Sequence, residues 1–204
     1  MARFSALAVV AQTVAALLSE GRHRDEFPLA QYLVIGSSVL GGTPSNDNEI
    51  VPSFGVSVFP YRVSYNGQRR PVSPRIGVGG ERFRPSVLLD LHLLVTAWAS
   101  GAVQQMRLLA WAIRLLEDNP ILTPGFLNRW GPGGEEVFGA GEAVELAPEA
   151  LSLQDMMAIW EINKHKQQPS VGFIARMVAI DSEEQLPEPG IVRSRNLDYG
   201  VLSP

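Results

Sequence analysis

The spacing of apolar and polar positions divides the 204-residue chain into a short series of elements. Near the start, Phe4, Leu7, Ala11, Val14 and Leu18 recur at helical spacing and predict one amphipathic helix. The same stretch superficially resembles a secretory signal, but Gln12 and Thr13 interrupt the apolar run and no small-x-small site follows it. Residues 21–26 read as a polar loop, 32–35 as a short strand, and 41–53 (GGTPSNDNEIVPS) as loop. Period two across 54–65 predicts a strand bent or edged by Pro60, and Asn66-Gly67 predicts a turn after it. Residues 68–85 carry Pro and Gly at many positions and read as a long exposed loop or ragged hairpin.

The strongest strand covers 87–98, VLLDLHLLVTAW. Leu89, Leu91, Leu93, Val95 and Ala97 point one way, and Asp90, His92, Leu94 and Thr96 the other. Both faces are largely apolar, which suits a central strand. A helix follows from 102 to about 118, capped by Ser100 and stopped by Asn119-Pro120. Its expected core face holds Val103, Met106, Leu109, Ala110, Ile113 and Leu116, and Gln104, Arg107 and Arg114 mark the wet side. Trp111 shares that wet side, so another element or chain is expected to cover part of it. Residues 131–141 read as a flexible loop and 143–146 as a short strand. Ser152 and Asp155 have capping-box spacing before a helix running to about 164. Residues 171–180 read as a last core strand, and 182–204 as a tail outside the core. This order predicts an α+β fold, a mixed and largely antiparallel sheet covered by helices, with a domain over 1–181 and an extended arm over 182–204.

Composition removes several chemistries. There is no cysteine, which excludes disulfides, thiolate metal sites and cysteine nucleophiles. No run of 18 apolar residues is present to span a bilayer. His23, His92 and His165 lie in different segments without ligand spacing, so no metal is expected. Asp90 and His92 sit two apart on one strand face, which suggests a shared polar site. A catalytic dyad there needs a nucleophile, and no motif supplies one; a hydrogen-bonded pair is the simpler reading. The glycines at 77, 79 and 80 and at 131, 133 and 134 lack the rest of any nucleotide-binding fingerprint. No catalytic residue and no cofactor is expected.

Charge is more informative. The chain carries a net −4, yet Arg62, Arg69, Arg70, Arg75, Arg82 and Arg84 face Glu81 alone within 62–84. Such a loop is either solvated, or set against an acidic protein partner, or, as an alternative function, a small nucleic-acid-binding module; overall acidity and the single interior aromatic, Phe83, argue against the last. In the tail, Ile191, Val192 and the stretch from Tyr199 through Val201 to Leu202 are candidates for pairing with a foreign sheet edge or filling a groove, and Arg193 and Arg195 are further candidate partner contacts.

The strand Leu89-Asp90-Leu91-His92-Leu93-Leu94-Val95-Thr96-Ala97 resembles one found in the cap, or tail-terminator, proteins of extracellular contractile injection systems of the Photorhabdus virulence cassette and antifeeding prophage type. Leu108-Leu109-Ala110, the run LLEDNPIL from Leu115, FPYRV from Phe59, LSLQD from Leu151, Ile159-Trp160 and VAID from Val178 extend the likeness over roughly 1–181. Leu93 stands where that family often has tyrosine. The resemblance implies a non-enzymatic structural part: a ring of six copies at the baseplate-distal end of a phage tail-like particle, ending and joining inner tube and sheath. It further implies assembly in the bacterial cytoplasm and three kinds of partner, namely other copies, sheath and tube proteins. The contact residues expected on that reading are Arg69, Arg70, Arg75, Arg82, Arg84 and the arm.

Overall fold

The structure, a computed structural model, describes residues 4–37, 51–68, 71–77, 79–161 and 167–187. Its strands are β1 (Gln31–Val34), β2 (Gly55–Tyr65), β3 (Arg75–Ile76), β4 (Arg82–Phe83), β5 (Val87–Trp98), β6 (Ile121–Leu122), β7 (Val144–Glu149) and β8 (Ser170–Ile180). The α-helices are α1 (Ala6–Glu20), α2 (Ala102–Glu117), α3 (Pro124–Leu127) and α4 (Leu153–Trp160). Six strands form one sheet in the order β1-β2-β5-β8-β7-β6, and β3 pairs with β4 in a separate hairpin. Only the β1–β2 pair is parallel, so the sheet is mixed and largely antiparallel, as the element order implied.

The two-sided β5 pattern places this strand third in the sheet, with a core on each face. On one face Leu91, Leu93, Val95 and Ala97 join Val56, Val58, Phe173 and Ala175 beneath α1 and α2. On the other, Leu94 and Trp98 meet Ile35, Phe59 and Trp160, the last from α4. Burial of this apolar surface on both sides is the main source of stability. Gly55 opens β2 with φ +149, and an added Cβ there would collide with the Gln31 backbone, so glycine permits the parallel approach of β1. β1 ends opposite Val58, and the register of β2 on β5 shifts between Pro60 and Arg62. Proline thus falls just past the stretch that β1 covers, on a locally one-sided part of the strand.

Three expectations are corrected. The core face of α2 is Gln105, Leu108, Leu109, Ala112, Leu115 and Leu116, whereas Val103 is 77% exposed, Met106 45% exposed and Ala110 exposed. Gln105 fixes this rotation because its side-chain amide donates to the Ala97 carbonyl at 2.7 Å, which makes a polar side chain fit for burial. Gly101, not Ser100, is the N-cap of α2, and no side chain caps it. The stretch 131–141 is held rather than loose. Asn128 Oδ1 accepts from the backbone N–H groups of Val137 and Phe138, at 2.9 and 2.8 Å, and both of those side chains are buried. Trp111 is indeed covered: Phe27 and Tyr32 pack on its ring, and its indole N–H donates to the Arg22 carbonyl at 2.8 Å. Ser152 caps α4 as its spacing predicted, accepting from Asp155 N–H at 3.1 Å.

Candidate interaction surface

The polar residues singled out on β5 go to different partners. Asp90 accepts two hydrogen bonds from the Asn66 side-chain amide, at 2.9 and 3.1 Å, and a third from the backbone N–H of Met177 at 3.0 Å. Met177 has φ 59, in the left-handed region, where the β5–β8 register shifts. Asp90 therefore ties the turn after β2 to a bulge in β8. His92 is 6% exposed, and its Nδ1 lies 2.7 Å from Glu149 Oε1, which assigns the proton to Nδ1. His92 Nε2 lies 2.9 Å from Ser64 Oγ, while the Tyr61 hydroxyl donates to Glu149 Oε2 at 2.7 Å. Burial, and then the hydrogen bond to Glu149, push the Tyr61 phenol well above its ordinary value.

Ser64, His92 and Glu149 stand in the relay order of a hydrolytic triad. Hydrolases of the α/β type present their serine on a strained strand-to-helix turn, whereas Ser64 sits inside the 11-residue β2. The same bonds satisfy polar groups and tie β2, β5 and β7 together. The contacts of Glu149, Ser64, Tyr61 and Asn66 with one another and with Asp90 and His92 escaped the sequence reading because no motif links residues so far apart in the chain. Among the described residues no group of three or more His, Asp or Glu is placed to hold a metal ion. No described helix is long and apolar enough to cross a membrane.

The arginine-rich stretch closes into the β3–β4 hairpin, with Arg75 opposite Phe83 and Ile76 opposite Arg82. Residues after β8 then add to its free side. Arg84 N–H donates to the Glu184 carbonyl at 3.1 Å, Leu186 N–H donates to the Arg82 carbonyl at 2.7 Å, and Phe83 pairs antiparallel with Gln185. Side chains reinforce the seam. The Arg75 guanidinium stacks 4.4 Å from the Phe83 ring centroid, with Nε 3.4 Å from Asp181 Oδ2 and Nη2 donating to the Ser182 carbonyl at 3.3 Å. Ser86 Oγ–H donates to Asp181 at 2.6 Å, and Arg84 pairs with Glu184 at 2.9 Å. The first residues of the tail are therefore docked on the hairpin, and their acids offset the positive charge that the sequence shows for 62–84. Of the expected contact residues, Arg75 and Arg84 are engaged within the chain. Arg82 has no ion-pair partner among the described residues. Arg69, Arg70, Ile191, Val192, Arg193, Arg195, Tyr199, Val201 and Leu202 lie outside the described residues.

The family described as the Pvc16 N-terminal domain matches residues 9–194. The chain belongs to that family. Among solved structures, the cryo-EM structure of the sheath/tube terminator of an extracellular contractile injection system, PVC, in its extended state aligns with a TM-score of 0.59 and 18% identity. The match covers 96% of this chain and 65% of the terminator, so the chain spans somewhat less than two thirds of that protein's length. The anti-feeding prophage tube terminating cap aligns with a TM-score of 0.46 and 18% identity, over 76% of this chain and 52% of the cap. No curated protein matches the chain in sequence. The α+β architecture is thus a terminator-like fold.

Proposed function

We propose that this chain is a non-enzymatic cap of a contractile injection particle, forming a ring at the baseplate-distal end that ends and joins inner tube and sheath. The observation that carries this reading is the fold shared with a sheath/tube terminator along nearly the whole chain, within the Pvc16 N-terminal domain family. The polar clusters support it, since the Asp90 and His92 networks satisfy internal hydrogen bonds. Ring closure is what such a part needs physically. A head-to-tail contact between identical subunits builds an open polymer unless its rotation closes, and a closed ring offers no further template.

On this reading the partners are other copies of the chain, six in the ring, together with sheath and inner-tube proteins. Assembly takes place in the bacterial cytoplasm. Arg69, Arg70 and Arg82, with the 182–204 arm and its Ile191, Val192, Arg193, Arg195, Tyr199, Val201 and Leu202, are the surfaces offered to those partners. An arm that adds a strand to an exposed sheet edge also removes that edge as a template. The alternative of a nucleic-acid-binding module loses support from the pairing of Arg75 and Arg84 with Asp181 and Glu184. The full-length recombinant chain is expected to form rings visible in negative stain, and removal of residues 188–204 is expected to weaken binding to sheath and tube. A strict monomer would overturn the ring, and undiminished assembly without the arm would overturn the arm's role.

A further inference from the structure

We propose that Ser64 is a nucleophile, and that the site around it takes the acyl group of an activated ester as a single covalent modification. Ser64 Oγ lies 2.9 Å from His92 Nε2, and His92 Nδ1 lies 2.7 Å from Glu149 Oε1. Glu149 is held in turn by the Tyr61 hydroxyl, which donates to its other oxygen at 2.7 Å. A hydroxyl, an imidazole and a carboxylate in that order are what an activated serine needs. The carboxylate fixes the ring with its proton on Nδ1, and the bare Nε2 of the neutral ring then faces the hydroxyl as its base.

The strand edge supplies the access that a sharp turn supplies in α/β-hydrolases. β1 ends opposite Val58, so from Pro60 to Tyr65 β2 has β5 alone beside it among the described residues. Ser64 is half-buried there, and its neighbours Arg62, Val63 and Tyr65 are exposed. Asn66 N–H donates to the Leu88 carbonyl at 3.0 Å, and the register is unbroken from Arg62 to Tyr65. The ladder bonds therefore alternate, with the Ser64 backbone paired to Asp90 and the Tyr65 N–H turned to the open edge. That N–H follows the nucleophile, the position from which α/β-hydrolases draw one oxyanion donor. Arg62 shares the face of Ser64 two residues away and adds a positive charge to it. In the step itself, Ser64 Oγ attacks the ester carbonyl carbon and its proton passes to His92 Nε2. The bond from that carbon to the leaving oxygen breaks, and the leaving group takes the proton, so the chain ends as acyl-Ser64 with a neutral His92. This is one event per chain rather than turnover, and it draws on no contact between copies.

The probe is p-nitrophenyl acetate, which carries an acyl group and a good leaving group. The full-length chain is exposed to it briefly, digested, and the acetylation rate of each serine read by mass spectrometry. Ser152 is the internal standard, since it is exposed and its hydroxyl donates to the Asp155 carboxylate at 2.6 Å rather than to an imidazole. Ser64 is expected to acetylate about 100-fold faster than Ser152, the scale of a positioned general base. Its rate should fall as the pH is lowered and the imidazole takes up a second proton, a response that Ser152 should not share. In His92→Gln the Ser64 rate should drop to that of Ser152, with circular dichroism as the check on folding. Where that variant fails to fold, the pH profile of Ser64 in the native chain decides. Equal rates at Ser64 and Ser152, or a Ser64 rate indifferent to pH, would overturn the assignment whatever oligomer the chain forms.

Discussion

Asp90 accepts three hydrogen bonds from groups on two other segments, one of them at a bulge residue in left-handed conformation. Removing that carboxylate breaks all three hydrogen bonds at once and unties the turn after β2 from the bulge in β8. Asp90→Ala is expected to destabilise the fold by about 1–3 kcal/mol, read as a lower urea midpoint with unchanged slope. Tyr61 gives a second residue-scale test. Its pKa is raised in the fold above the ordinary 10.0, so the neutral phenol's contribution is present below pH 10 and is lost as pH rises through the folded value. The stability difference between the native chain and Tyr61→Phe, measured by denaturation on either side of pH 10, should therefore shrink on the alkaline side. A difference that grows with pH would contradict the assignment of Tyr61 as donor to Glu149.

The elements were largely legible in the sequence, and the reasons differ from one to the next. β5 could be read because a central strand must be apolar on both faces, and α4 because Ser152 and Asp155 sit at capping distance. The orientation of α2 could not, since the helix is apolar around most of its circumference and periodicity alone does not choose a face. Tertiary contacts settle it, among them the Gln105 bond to the Ala97 carbonyl, and these are invisible before the strands are placed. That decision has a measurable consequence. Leu108→Ala should cost about 2–5 kcal/mol because it opens a cavity in a fully buried site. Val103→Ala, on the exposed side, should change stability by less than about 0.5 kcal/mol. A larger cost for Val103→Ala than for Leu108→Ala would mean that the helix is turned the other way. The hairpin was legible as a charge excess, but the acids that neutralise it arrive from beyond residue 180, and no local pattern announces that contact.

At the scale of the whole molecule, the sheet packs both faces into cores and attaches a small hairpin with its own docked strand. The Asp90 and His92 networks are satisfied within the chain, which belongs to the Pvc16 N-terminal domain family and has a terminator-like fold. Motif reading finds little here, because the described polar networks are assembled from segments distant in the chain. On the function proposed above, this chain stops a growing tube and sheath. The most direct measurement is the length distribution of contractile particles, imaged in negative stain from cells with and without this gene. With the gene the distribution should be narrow, and without it the tubes should be broad in length, overlong or unsealed. Particles of the same narrow length, with closed ends, in its absence would contradict it.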